Sequence, residues 1–218
     1  MTQKNPLTTP LIEENPVALR VLGLCPALAI TNSLTSALIM SAALTVVLMM
    51  SNATISLVRN LLPSSVRLIV QITVIAAAVT VIDQFLKAYL PEAAARLSVY
   101  VALIITNCIV LGRTEACAMK EGVGTSVLDA LGNGLGYSLI LITVAFIREL
   151  VGKGSLMGYQ VLEPASQGGW FPENALVTLA PSAFFIIGML VWGIRAWKPE
   201  QREKPDFEPI PLPRREKR

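Results

Sequence analysis

The chain has 218 residues, 53% hydrophobic and only 15% charged, with a formal net charge of +3, no histidine and a mean hydropathy of +0.59. A water-soluble domain carries about 25% charged residues, so this composition points to a bilayer as the solvent and excludes an ordinary soluble fold. The lack of histidine excludes His-ligated haem, His-containing zinc sites, His-based triads and imidazole proton relays.

Residues 1–15 form a polar segment with Glu13 and Glu14, without the basic start and short apolar core of a cleaved signal peptide. Charge-free windows follow at 21–58, 68–82, 97–112, 130–147 and 174–194. About 20 residues cross the hydrocarbon core, so the first window, interrupted by Pro26 and by Thr31-Asn32-Ser33, holds two spans. The expectation is an all-α integral membrane domain over residues 16–197, with six transmembrane helices at 16–31, 35–58, 66–88, 97–113, 127–149 and 174–196. Helices satisfy every backbone group internally, and the period-two alternation of a membrane barrel is absent. The tail, 198–218, is rich in proline and charge and is expected to be disordered. Basic residues gather there, which suits a solvated end or a contact with lipid headgroups and argues against nucleic acid as a partner.

Six spans put both termini on one side. Fourteen Lys and Arg fall on that side and four (Lys87, Arg96, Arg148 and Lys153) on the other, so both termini are expected in the cytoplasm. The half-repeats, about 16–90 and 97–197, resemble each other. Each opens with a short span bearing a cysteine (Gly23-Leu24-Cys25-Pro26; Thr106-Asn107-Cys108) and continues with a longer span ending in arginine (Arg59; Arg148). Three plus three spans place the halves in opposite orientations, an inverted repeat whose short first and fourth helices are interrupted near the midplane.

Gly132-Asn133-Gly134-Leu135-Gly136 superficially resembles a dinucleotide loop, but no strand precedes it, and helix packing through small residues accounts for it. Cys25 and Cys108 occupy matching places in the halves. They are either small apolar packing residues or two ligands of a metal site that needs further ligands from another chain. Asp83 stands four residues before Lys87, the spacing of a local ion pair, and Asp129 opens the fifth span, where a carboxylate stabilises a helix start. Acids within spans are equally candidates for a cation or proton path. Glu115 and Glu149, the latter beside Arg148, read as interface charges; Asn32 and Asn107 read as caps of broken helices or as carbonyl donors to an ion.

Several runs resemble one family, that of the D-type membrane subunits of the Na⁺-translocating NADH:quinone reductases. They are Leu22-Gly23-Leu24-Cys25-Pro26-Ala27-Leu28-Ala29, Ile105 through Ala116, Ser56-Leu57-Val58-Arg59-Asn60, Gly132 through Tyr137, Gly168-Gly169-Trp170 and Leu179 through Phe185. The resemblance covers about residues 15–200; the corresponding subunit of the Rnf ferredoxin:NAD⁺ reductases shares both cysteine motifs and is the alternative, while the stretch from Gly168 to Phe185, followed by Lys198-Pro199-Glu200-Gln201, looks much more like the quinone reductase version. The resemblance implies a multi-pass subunit of the bacterial inner membrane, one of six, in a redox-driven Na⁺ pump that oxidises NADH and reduces ubiquinone. It implies pairing with a homologous E-type subunit in opposite orientation, with Cys25 and Cys108 as this chain's ligands to a shared intramembrane [2Fe–2S] cluster. It places Asp83 and Asp129 where acids are linked to Na⁺ passage, and Cys117 where an apolar residue is usual, so that Cys117 is not expected to be a ligand. Flavins and the NADH and quinone sites fall to the other members of the complex, of types A, B, C and F. The rival readings are a stand-alone ion-coupled secondary transporter, with Asp83 and Asp129 binding the ion, and a purely structural subunit.

Overall fold

The computed structural model describes residues 22–63, 65–89, 91, 102–157, 159–160, 177 and 179–197. The expected polar N-terminal segment and C-terminal tail, the starts of the first and fourth expected spans, Arg96 and Gly168-Gly169-Trp170 lie outside them.

The described chain is helical apart from one hairpin. The helices are α1 (Leu24–Ile30), α2 (Leu34–Val58), α3 (Arg67–Tyr89), α4 (Cys108–Arg113), α5 (Val123–Lys153) and α6 (Ala180–Trp197). A 3₁₀ turn, Arg59–Leu61, closes α2, and α4 runs on into a π-helical turn, Thr114–Ala118. Gly154, at φ 63, ends α5 and leads into a two-residue antiparallel hairpin, Ser155–Leu156 with Tyr159–Gln160.

Among the described residues three helices, Leu34–Leu61, Arg67–Tyr89 and Val123–Gly152, are long and apolar enough to cross a membrane. At 1.5 Å per residue α2, α3 and α5 extend about 37, 34 and 46 Å, against about 30 Å of hydrocarbon. Their bounds fall within a few residues of the expected second, third and fifth spans. The apolar helix α6 has 18 residues. In the segments expected as the first and fourth spans the described helices are short: α1 has seven residues and α4 six, and a further helical turn at 102–105 is separated from α4 by Thr106 and Asn107.

The core sits where α2 lies along α5, the most extensive pairing among the described elements. Met40, Leu44, Val47 and Leu48 of α2 meet Ala130, Ile140, Leu141 and Val144 of α5 within one buried cluster. Lipid offers no hydrophobic drive to such packing, so close approach has to come from small residues. Gly134 provides it: a Cβ there would lie 2.8 Å from Thr45 Cγ2, and Thr45 is held in place by its hydroxyl donating to Ser41 O at 2.8 Å. The glycine run thus packs helices. Gly134→Val is expected to cost about 1–3 kcal/mol through overpacking, seen as a lower thermal midpoint of the detergent-solubilised protein, and Thr45→Ala in the same chain should recover most of it.

The outer faces are apolar. Leu68, Ile69, Val81 and Phe85 on α3, and Phe184, Phe185, Met189 and Trp192 on α6, are exposed. In water such bands would drive aggregation; in a bilayer they are the surface that lipid or a neighbouring subunit covers.

At a turn between two helices, backbone groups left without helical partners have to be satisfied by other parts of the protein or by solvent. Two adjacent residues of α5 perform this at Thr31-Asn32-Ser33. Arg148 donates to Thr31 Oγ1 and to Leu28 O at 3.3 Å, at the end of α1, and also to Val177 O at 3.3 Å and Leu179 O at 3.1 Å. Glu149 accepts from Leu34 N, the first N–H of α2, at 2.6 Å and from Met157 N at 3.0 Å. Arg148 is 1% and Glu149 4% exposed, because both are enclosed by the chain ends they join. Asn32, by contrast, is exposed, and Thr31 makes the polar contacts of that break, donating to Ala27 O at 2.6 Å.

Candidate functional site

The two cysteine motifs converge on Gly23. This residue precedes α1 in the left-handed region, φ 83 and ψ 20, which glycine adopts without the penalty a Cβ brings. Its N–H donates to Cys108 Sγ at 3.0 Å, across 85 residues of sequence. Its carbonyl accepts from the Tyr137 hydroxyl of α5 at 3.1 Å. A Cβ on Gly23 would meet Tyr137 Cε2 at 2.7 Å and Asn107 Oδ1 at 3.5 Å. Close approach and backbone sign both require glycine here.

Cys108 is the first residue of α4, positioned by Asn107, whose side chain accepts from Ile109 N at 3.2 Å; the expected capping role of Asn107 is observed. Cys25 is the second residue of α1, two positions beyond Gly23. All three cysteines are free thiols, with Cys25 exposed, Cys108 half-buried and Cys117 buried. Among the described residues no three Cys, Asp or Glu side chains gather as a metal site. What the chain offers is a pair of soft sulfur donors, one receiving a backbone N–H and the other open at the surface. Such donors suit thiolate-loving metals and iron–sulfur groups, and a pair is half of the usual four.

Cys117 stands elsewhere, in the π-helical turn near Asp129 and Arg113. Burial pushes its thiol pKa up, and the Asp129 carboxylate adds to that, so it remains a neutral thiol.

The two candidate acids sit in separate ion pairs. Asp83 pairs with Lys87 at 2.6 Å one turn on, with the Lys87 side chain half exposed. Such a partly exposed pair contributes about 0–1 kcal/mol and is readily reopened. Asp129 is 8% exposed. It accepts from Arg113 Nε at 2.9 Å in a two-pronged pair and from Asn133 Nδ2 at 3.2 Å. Ser126, Asp129, Ala130, Asn133 and Tyr137 follow helical spacing and are all buried. A polar line thus runs along α5 toward the cysteines. On the facing helix, Asn52 Nδ2 approaches Ser126 O at 3.5 Å. Glu115 pairs with Arg67 at 2.6 Å, both side chains partly exposed.

Tyr137 shapes the site although its sequence context does not mark it for that role. For Tyr137 the four-residue steps from Asp129 through Asn133 are the available signal. Arg113 as the partner of Asp129 has none, being 16 positions away across a turn.

Comparison with known proteins places this geometry in a family. The description "Rnf-Nqr subunit, membrane protein" matches residues 4–191. Among curated proteins, the D-type subunit of the Na(+)-translocating NADH-quinone reductase of Shewanella oneidensis is 56% identical over 200 residues, 92% of this chain and 95% of that protein. Its counterparts from Haemophilus influenzae, at 53%, and Neisseria gonorrhoeae, at 52%, each align over 201 residues, 92% of this chain and 97% of theirs.

Proposed function

The chain belongs to the Rnf-Nqr family of membrane subunits, and on that premise we propose that it works as the D-type subunit of a Na⁺-translocating NADH:quinone reductase, supplying Cys25 and Cys108 to an iron–sulfur cluster shared with a homologous E-type subunit. The observation that carries this reading is the meeting of the two cysteine motifs at Gly23, with one thiol hydrogen-bonded and the other facing outward. Two thiols on a surface make half a site. A partner presenting the same pair in the opposite orientation completes four, which is the number a [2Fe–2S] cluster takes.

When bound, such a cluster supplies one-electron transfer within the membrane. The chain's own residues set the conditions for it. Gly23 N–H places a donor against sulfur, and the short helices α1 and α4 carry the two thiols. Added negative charge in low dielectric is costly unless a cation approaches or helices rearrange, and Asp83 and Asp129 are the acids of this chain that we assign to the Na⁺ path. The fuller architecture belongs to the same proposal: six helices as an inverted three-plus-three repeat, both termini in the cytoplasm and a place in the bacterial inner membrane. So does the division of labour, with flavins, NADH and quinone sites on the members of types A, B, C and F. The relatives' identity and the length of the match favour this assignment over an Rnf-type subunit or a stand-alone transporter.

The test is iron content. Cys25→Ala and Cys108→Ala are each expected to remove the iron held between the two subunits from the purified complex, together with its EPR signal, while Cys117→Ala leaves both unchanged. Full iron and quinone reductase activity in either of the first two variants would sink the ligand assignment.

A further inference from the structure

Resting on the reading of Cys108 as a ligand, we propose that Tyr137 is a positioning residue for the thiol site: it clamps Gly23 so that the Gly23 N–H stays aimed at Cys108 Sγ, and so sets how readily the site accepts an electron. Tyr137 is 1% exposed in the middle of α5, where a phenol needs an acceptor, and it takes the carbonyl of Gly23 at 3.1 Å. Its ring meanwhile rests against the α-carbon of the same residue, since a Cβ there would be 2.7 Å from Cε2. The Asn107 side chain borders the same glycine, its Oδ1 3.5 Å from where a Cβ would stand, so the cap of α4 and the turn before α1 meet at one residue.

An anchor is needed because glycine in the left-handed region has other conformations open to it. Without one, the turn at φ 83 would not be held and the 3.0 Å contact to sulfur would be intermittent. An N–H directed at a thiolate stabilises the more negative, reduced state, and hydrogen bonds to sulfur are among the levers that set potentials of such sites. The hydroxyl never touches sulfur; it acts through the backbone of Gly23. A tyrosine that merely filled the core would be silent on exchange for phenylalanine.

The test compares the purified complex with its Tyr137→Phe variant. Iron content is expected to be unchanged, while the one-electron reduction equilibrium of the site moves on the order of tenfold toward the oxidised form, ~59 mV lower. In complex labelled with ¹⁵N-glycine, pulsed EPR of the reduced site is expected to show a coupled nitrogen, weakened in Tyr137→Phe. Full iron with an unchanged potential and unchanged nitrogen coupling overturns the proposal while leaving the ligand assignment intact. If the variant does not assemble, the labelled unmutated complex decides, and absence of a coupled glycine nitrogen overturns the proposal. Iron retained in Cys108→Ala overturns both the ligand assignment and this inference.

Discussion

Arg148→Met is expected to be among the most damaging single substitutions in the described chain, lowering the amount of assembled complex and its thermal midpoint in detergent. The side chain is 1% exposed, and its guanidinium serves the hydroxyl of Thr31 and the carbonyls of Leu28, Val177 and Leu179. Methionine fills the volume of the stem but offers no donor, so the buried Thr31 hydroxyl and the Leu28 carbonyl lose theirs, while Val177 O and Leu179 O keep the Ser182 hydroxyl. A hydrogen bond to a charged group contributes about 1.5–3 kcal/mol. Glu149 adds to the effect, because it binds the first N–H of α2 while Arg148 binds the last turn of α1; loss of one loosens the break that the other still holds. Arg148→Lys should recover only part of the stability, since an ammonium keeps the charge but lacks the planar fork that reaches separate carbonyls. The loosened α1 should also change the alkylation rate of Cys25, which a defect confined to the far end of α5 would not do. A wild-type midpoint for Arg148→Met would show that these acceptors find other partners.

Arg148 and Glu149 mark the point where a sequence stops being legible. The bounds of α2, α3 and α5 can be read because lipid imposes a one-dimensional rule, a length of apolar chain between charges. That rule treats any charge as an edge. It has no way to see a charged pair folded back under a broken helix, since the broken helix lies more than a hundred residues earlier in the chain. The cysteine pair is legible by resemblance and by its repeated context. The meeting of its two motifs at Gly23 is not, because it depends on a backbone sign and on a tyrosine from a third helix. Asn107 caps as its context predicts, yet its counterpart Asn32 is not the working residue of its own break; Thr31 one position earlier faces inward, and a one-residue difference in facing is below what hydropathy resolves. Asp83 with Lys87 is readable from spacing alone, being a contact within one helix turn.

Asp129 separates structural from transport roles once it is changed together with Arg113. Asp129→Leu alone leaves Arg113 without its carboxylate in a nearly closed site, and Arg113→Met alone leaves the reverse; each is expected to cost about 3–5 kcal/mol and to reduce assembly. The double variant removes both charges at once. Exchange of a buried ion pair for apolar residues of similar volume is often neutral or stabilising, so assembly should return toward the wild-type level. Asn133 then loses the Asp129 carboxylate but keeps the Asp129 backbone carbonyl at 2.8 Å, so it is not stranded. In this recovered complex the two roles part. If Asp129 serves Na⁺ passage, NADH oxidation in the double variant no longer rises with Na⁺, although iron content and the thermal midpoint are restored. If the pair only fastens the end of α4 to the second turn of α5, stimulation by Na⁺ returns together with assembly, and the path must be sought at Asp83, whose half-exposed pair with Lys87 can be opened at little cost.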